Sequence, residues 1–234
     1  MRHSTTFLMS LIVASILVLM FLNLVLGSVS IPLKSVWNII CGLGDEPVTW
    51  QNIVWKSRLP QALTALVAGA GLAISGLQMQ TVFRNPLAGP SVLGISSGAS
   101  MGVAFVVLLS GSLGGVALSK LGVMGEIALS IAAVIGSLSV MALIVYVSQK
   151  VKGNVTLLII GVMIGYVANA VIGVLKFFSV EEDIRAYVIW GLGSFSRVSG
   201  NQMMLFVAIM AILIPLSFLL IKTLNLMLLG DGYA

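Results

Sequence analysis

Residues 58–102 read RLPQALTALVAGAGLAISGLQMQTVFRNPLAGPSVLGISSGASMG. A charge and a proline open this stretch, residues 59–81 are uncharged, and a polar break at 84–86 precedes a second apolar run. At about 1.5 Å per residue, a helix over residues 59–81 can cross a bilayer core of about 30 Å. Pro60 suits the first turn of that helix, where its missing N–H needs no partner. The stretch therefore predicts two transmembrane helices joined by a turn.

Small residues recur along both apolar runs at the spacing of one helix turn. The repeated positions are Ala65, Gly69 and Ala73 in the first run and Gly94, Gly98 and Gly102 in the second. Lipid supplies no hydrophobic drive between helices, so stripes of small residues indicate faces where two helix backbones approach closely. A lipid-facing anchor that contains glycine is the alternative, and it does not require two such stripes.

The composition of the whole chain is typical of a membrane protein. Of its 234 residues, 59% are hydrophobic and 8% are charged, whereas soluble domains carry about 25% charged residues. The net charge of +5 comes with no basic stripe or aromatic platform, so nucleic acid is not an expected partner. A single cysteine, Cys41, excludes an internal disulfide, and with a single histidine, His3, a metal site is not expected.

The apolar runs predict an all-α, polytopic membrane protein with one domain over residues 1–234. The predicted spans are residues 6–26, 59–81, 93–110, 127–148, 155–178 and 203–221. A secretory signal peptide is the competing interpretation of the first span, but its apolar region would be only about 7 to 15 residues long.

Shorter elements are predicted between these spans. We expect an interfacial helix that starts near Pro32 and ends at Gly42, and then a polar stretch up to Trp55. A Gly/Ser-rich loop is expected at residues 111–125, and a short helix after the acidic residues 181–183, which complement a helix N-terminus. Pro215 is expected to bend the sixth span.

The sequence carries no recognisable catalytic or nucleotide-binding motif. GxxxxGK[ST] is absent, and so are nucleophile–base pairs and metal-ligand spacings. The predicted spans contain no Asp, Glu or His, which usually mark ion-coupled carriers. We therefore expect a transport protein, not an enzyme, that depends on a partner for energy. A stand-alone ion-coupled carrier or channel is the alternative, and a structural membrane subunit is the third interpretation.

The stretch quoted above resembles the FecCD-type permeases, the membrane subunits of ABC importers for iron-siderophores, haem and cobalamin. The matching segments are RLP at 58–60, GAGLAISG at 69–76, MQ at 79–80, RNPLA at 84–88 and LGISSGA at 93–99. The resemblance implies a multi-pass protein of the bacterial inner membrane with about ten transmembrane helices. The chain resembles about the N-terminal two-thirds of the family, so we expect it to be truncated at its C-terminus.

The resemblance also implies partners and an orientation. The expected partners are a pair of cytoplasmic ATP-binding subunits, a second permease copy and a periplasmic or lipid-anchored substrate-binding protein, together with the lipid bilayer. ATP binds to the partner subunits, and this chain is expected to hold no cofactor. The N-terminus and the break at Arg84 are placed on the cytoplasmic side by the resemblance alone, because the raw count of Lys and Arg does not support this orientation.

Two functional regions are implied at the membrane faces. Arg58 matches an arginine that docks the binding protein. Because the next basic position of the family motif is Gln61 here, the docking contact is expected to be weaker or to be taken over by Lys56. Anchoring of Arg58 to lipid headgroups is the alternative. A cytoplasmic gate is expected from two turns, formed by Asn85, Leu87, Asn154 and Val155. Asn–Pro and Gly–Asn also favour turns in themselves, a role that is compatible with gating.

A translocation path and a coupling segment are implied as well. The expected path residues, on the fifth span, are Gly165, Asn169 and Gly173. Asn169 also suits a hydrogen bond between helices. The expected contacts with the ATP-binding subunit are Leu229, Gly230, Asp231 and Ala234, which match the start of the family's coupling segment. A disordered terminus is the alternative for these last residues.

Overall fold

Helices make up the fold. The structure is a computed structural model that describes residues 2–112, 123–151, 153–196 and 198–229, and within these ranges it contains no β-strand. In chain order the helices are α1 (Arg2–Val25), α2 (Leu33–Cys41), α3 (Val48–Ile53), α4 (Leu59–Phe83), α5 (Ile95–Ser112), α6 (Val123–Ser148), α7 (Asn154–Phe177), α8 (Glu181–Gly191), α9 (Gly200–Phe218) and α10 (Ile221–Leu229). The predicted all-α class is confirmed.

Each predicted span coincides with a helix. Among the described residues, five helical segments are long and apolar enough to cross a bilayer: Thr5–Val25, Val48–Phe83, Met124–Ser148, Val155–Phe177 and Gly200–Phe218. The remaining predicted span corresponds to α5, whose apolar part, Ile95–Leu109, is shorter. The predicted loop at 111–125 lies mostly outside the described residues. The short helix after the acidic residues is α8, which includes those acids in its first turn.

The approach to the second span differs from the prediction. The expected polar stretch up to Trp55 is helical from Val48 onward, and a π-helical turn, Val54–Arg58, connects α3 to α4. In an α-helix the ring of Pro60 would clash with the carbonyl four residues earlier. The wider π turn directly before Pro60 gives that ring room, so the helix continues through the proline instead of starting at it.

The chain divides into two compact units, and the prediction of a single domain stays a prediction. The first unit comprises Met1–Leu72 and Phe195–Leu219. Its core joins the end of α1 to α2 and to the π turn, and its buried side chains are Leu24, Ile31, Val36, Ile39, Val54 and Ala62. The predicted short helix is α2, and it ends at Gly42, whose φ of 68° is left-handed; its interfacial location stays a prediction. Val36 on this helix is buried, whereas Leu33, Trp37 and Ile40 are exposed.

The second unit comprises Ala73–Ser194 and Leu220–Ala234. It is built around α5, which packs against α6, α7 and α8. The buried side chains of α5 in this core are Val103, Ala104, Val107 and Leu108. They meet Ala132 of α6, Ile172 of α7 and Tyr187 of α8.

The predicted stripe of small residues on α5 is a close helix contact. A Cβ on Gly98 would lie 2.7 Å from the carbonyl oxygen of Gly136, and a Cβ on Gly102 would meet the carbonyl oxygen of Ala132. Gly94 lies equally close to α7, since its Cβ would stand 2.7 Å from the carbonyl oxygen of Gly161. The backbones of α5, α6 and α7 therefore touch directly, as small residues permit in lipid.

The other stripe remains uncovered within the described chain. Gly69 and Ala73 are exposed on α4, and no atom lies within 4 Å of where a Cβ on Gly69 would stand. Two further features were not predicted. One is α10, and the other is the capping box at the start of α9, in which the Ser199 hydroxyl accepts from the Gln202 amide and the Gln202 side chain accepts from the Ser199 amide.

Candidate functional site

The break after α4 is a Schellman turn with an arginine at the position that favours glycine. The Arg84 amide donates to the Thr81 carbonyl at 3.2 Å, and the Asn85 amide donates to the Gln80 carbonyl at 3.2 Å. This pair of hydrogen bonds defines the motif, whose turn residue adopts the left-handed conformation. Arg84 has a φ of 47° and takes that place. The helix therefore stops at Phe83, as the sequence predicts.

The predicted gate residues of this loop are held by local hydrogen bonds. The Asn85 side-chain oxygen accepts from the Leu87 amide at 2.9 Å, and the Asn85 carbonyl accepts from the Ala88 amide at 3.0 Å. Gln80 Nε2 donates to the Pro86 carbonyl at 3.0 Å. Leu87 is 81% exposed at the tip of the loop, whereas Ala88 is buried. Asn85 is thus a turn former, and the turn presents Leu87 outward.

The second predicted gate turn lies against the same buried cluster as the first. Gly153 precedes α7 with a φ of 111°, and α7 begins at Asn154, whose side chain is outside the described part of the structure. Val155 is 67% exposed. One turn later Leu158 is buried together with Ala88, and the other buried members of this cluster are Leu93, Val140 and Ile144. The structure therefore brings the two predicted gate segments together and leaves Leu87 and Val155 exposed.

The predicted path residues on α7 fall into two environments. Gly165 is buried against α5, where a Cβ would lie 3.3 Å from Ser97 Oγ. Asn169 and Gly173 are exposed. Within the described residues, the Asn169 side chain makes no hydrogen bond to another helix. The helix-to-helix role for Asn169 therefore has no partner in this part of the chain, and Gly165 is a packing residue.

Arg58 is placed differently from an exposed docking residue. Its side chain is 5% exposed. Nη1 donates to the carbonyls of Leu24 at 2.7 Å and Val25 at 2.8 Å, and Nη2 donates to the carbonyl of Val29. An exposed ion pair with a partner does not fit this placement, because the guanidinium is occupied by the backbone at the end of α1. Docking at this segment stays a prediction, and Lys56 is the exposed basic residue beside it.

Sequence reasoning did not give Gly27 a role, yet it shares the Arg58 site. A Cβ on Gly27 would lie 2.7 Å from Arg58 Nη2, so any larger residue at this position would force the guanidinium to shift. The three accepting carbonyls belong to the last turn of α1 and the chain just after it, where helical carbonyls lack intrahelical partners. No sequence pattern links residue 58 to these carbonyls, which lie 29 to 34 positions away.

The predicted coupling segment is described only at its beginning. Leu229 is the last residue of α10, and its side chain lies outside the described structure. Gly230, Asp231 and Ala234 also lie outside the described residues. The end of α10 contacts the first gate loop, because Arg84 Nη2 donates to the Met227 carbonyl at 2.7 Å.

Asp183 on α8 is a buried acid that the sequence marked only as a helix-start residue. It is 5% exposed, and Oδ2 has no hydrogen-bond partner among the described residues. Burial raises the pKa of Asp183 above its ordinary value of 3.8, and the neighbouring charge of Glu182 raises it further. Both effects disfavour the ionised carboxylate.

Long apolar helices in direct backbone contact, with polar turns at their ends, define a polytopic α-helical membrane protein. Comparison with known families is more specific. The model of the FecCD transport family matches residues 15–234, and the chain belongs to this family. The membership agrees with the resemblance carried by the segments between residues 58 and 99.

Individual relatives are similar over most of this chain but only part of their own length. The hemin transport system permease protein HmuU of Yersinia pestis is 33% identical over 211 residues, which are 89% of this chain and 59% of HmuU. The vitamin B12 import system permease protein BtuC of Serratia proteamaculans is 36% identical over 184 residues, which are 79% of this chain and 52% of BtuC. The chain thus spans between half and three-fifths of these relatives.

A solved structure has the same fold. An inward-facing ABC transporter of metal-chelate type superimposes with a TM-score of 0.73 at 25% sequence identity, and the match covers 93% of this chain and 63% of that one. The predictions of a polytopic α-helical fold and a multi-pass membrane location are therefore confirmed.

Proposed function

We propose that the protein is the permease subunit of a bacterial ABC importer for a metal chelate of the haem, cobalamin or iron-siderophore class. It sits in the inner membrane and forms the translocation path. The observation that carries the proposal is the arrangement of the two turns: both pack on one buried cluster, yet each holds an apolar side chain, Leu87 or Val155, out of it. Exposed apolar side chains held on ordered turns suit a gate that closes against a second copy. The similarity to permeases for hemin and vitamin B12 supports the substrate class.

The path follows α7 in this proposal. Asn169 and Gly173 are exposed in the C-terminal half of α7. A polar amide on a membrane-spanning helix is costly where it faces hydrocarbon. A water-filled path removes that cost, and small side chains leave room for a bulky chelate. Gly165 contributes indirectly by seating α7 closely on α5.

Energy comes from partners in this proposal. A pair of cytoplasmic ATP-binding subunits hydrolyses ATP and contacts the segment that begins at Leu229 and continues through Gly230, Asp231 and Ala234. A periplasmic or lipid-anchored binding protein docks near Lys56, which is exposed. The chain itself binds no cofactor. An ion-coupled carrier is disfavoured because the predicted spans carry no Asp, Glu or His to relay protons.

The test is reconstitution of the full-length permease in vesicles with its ATP-binding subunits and binding protein. Uptake of labelled haem, labelled cobalamin and a labelled iron-siderophore is followed with ATP supplied to the ATP-binding subunits, with a non-hydrolysable analogue, and with a proton or sodium gradient alone. We expect uptake of one chelate, only with hydrolysable ATP. Gradient-driven uptake without the ATP-binding subunits would refute the proposal.

A further inference from the structure

Arg84 occupies a backbone conformation that its residue type does not favour. Among the described residues it is the one non-glycine with a positive φ, and the other positive-φ residues are all glycines. The residue with left-handed backbone conformation in a Schellman motif is usually glycine, because a Cβ is strained in that region. Strained residues persist where the surrounding structure holds them, and they are concentrated at functional positions. The left-handed backbone of Arg84 therefore indicates that its side chain has a role that glycine could not fill.

The guanidinium reaches a distant helix end. Nη2 donates to the Met227 carbonyl at 2.7 Å, across 143 positions of sequence. Met227 lies two residues before Leu229, where α10 ends, and the C-terminal end of a helix dipole is negative. A cation that donates there satisfies a carbonyl and complements the dipole. Glycine would relax the turn but could not make this contact.

The turn that carries Arg84 is internally connected. The Asn85 side chain and carbonyl hold the amides of Leu87 and Ala88, and Gln80 holds the Pro86 carbonyl. Displacement of Arg84 therefore carries the tip of the loop with it.

We propose that Arg84 is a positioning residue that ties the gate loop to the end of α10, so that movement of α10 is transmitted to Leu87. The inference rests on the proposed function for the roles of the two ends. The contact between Arg84 and α10 stands on its own geometry. A cation at a membrane face also suits a lipid phosphate, and the experiment separates these roles.

The test uses three variants of the full-length permease assembled with its ATP-binding subunits and binding protein. Arg84→Gly removes the side chain and supplies the residue that the turn favours, so it is expected to fold. Arg84→Lys keeps the charge with a single compact donor group. Lys150→Ala is the matched control, since it removes an exposed cation just after α6, whose side chain donates a hydrogen bond to the Tyr146 hydroxyl.

Two measurements are made on each variant. Hydrogen–deuterium exchange of the peptide covering residues 222–229 reports the end of α10, and the ratio of chelate imported to ATP hydrolysed reports coupling. We expect exchange in this peptide to rise about fivefold in Arg84→Gly, the factor that loss of one typical hydrogen bond gives. The import ratio should fall at least as much. Arg84→Lys should lie between Arg84→Gly and the parent, and Lys150→Ala should match the parent in both.

The outcomes distinguish this inference from the proposed function. Parent-like exchange in Arg84→Gly, in an assembly that imports chelate, overturns the tie and leaves the permease function standing. Equal losses of import in Arg84→Gly and Lys150→Ala, without a change in exchange, assign Arg84 to lipid headgroups and also overturn it. If the parent assembly imports no chelate, the proposed function fails, and the exchange data still decide whether Arg84 holds α10.

Discussion

Replacement of Arg58 by alanine should destabilise the protein through the end of α1. The guanidinium donates three hydrogen bonds to the carbonyls of Leu24, Val25 and Val29. A hydrogen bond to a charged group contributes about 1.5–3 kcal/mol, but burying the cation itself costs several kcal/mol. We therefore expect a net loss of about 3 kcal/mol, because three such hydrogen bonds together outweigh the cost of burying the cation. For a chain of this size that corresponds to a fall in Tm of about 6–12 °C.

The assay is thermal unfolding of the full-length protein in detergent, followed by tryptophan fluorescence. Lys56→Ala is the matched control, because Lys56 is exposed two residues away and surface substitutions change stability by less than about 0.5 kcal/mol. Arg58→Lys should lie between Arg58→Ala and the parent, since one ammonium cannot reproduce the planar fork. Gly27→Ala should also lower Tm, because its Cβ would stand 2.7 Å from Arg58 Nη2.

A double-mutant cycle makes the reasoning refutable. If Gly27 acts only by leaving room for the guanidinium, Gly27→Ala should have little effect in the Arg58→Ala background. Binding-protein affinity is measured in parallel for Arg58→Ala, Arg58→Glu and Lys56→Glu. An Arg58→Ala protein that melts within 2 °C of the parent, yet binds the binding protein more weakly, would show that the guanidinium faces the partner and not α1.

Three further predictions concern stability and gating. Between pH 3.8 and its raised pKa, Asp183 binds more protons in the folded chain than in the unfolded chain, so its contribution to stability falls as pH rises through that window. The Asp183→Asn protein should therefore have the same Tm as the parent near pH 4 and a higher Tm than the parent at pH 7. Gly136→Ala should lower the free energy of unfolding by about 1–3 kcal/mol, because its Cβ meets the backbone of α5. Gly69→Ala places its Cβ in open space, so it should be neutral or stabilising by up to about 1 kcal/mol. Equal Tm shifts for the two variants would contradict the close contact. Leu87→Ala should leave Tm unchanged, since the side chain is 81% exposed, and should increase leakage of preloaded chelate from vesicles without ATP; an unchanged leak rate would remove Leu87 from the gate.

The sequence predicted those features that depend on local pattern. Uncharged runs of sufficient length marked the spans, and the spacing of Gly94, Gly98 and Gly102 marked the face on which α5 meets its neighbours. The turn at Arg84 followed from Asn85 and Pro86. Each of these patterns lies within a short stretch of sequence, so it can be recognised without knowledge of the fold.

The features that were missed depend on contacts that no local pattern encodes. Arg58 looks like an exposed charge beside a proline, and only the fold brings the carbonyls of α1 to it. The helix at Val48–Ile53 is partly polar and too short to show a helical pattern of apolar residues. The capping box is different, because Ser199 and Gln202 have the S-x-x-Q spacing and were readable as a helix start.

The π-helical turn at Val54–Arg58 rotates the helix that precedes it relative to the helix that follows it. A π turn contains more residues than an α turn, so the faces before and after it are out of step by about one residue, or roughly 100°. Deleting one residue between positions 54 and 58 would turn it into an ordinary α turn and rotate α3 about its axis by that angle. Trp50 and Ile53, which pack on the cluster around Val36, would then swing away from it. The number of residues between positions 54 and 58 is therefore constrained as tightly as their type.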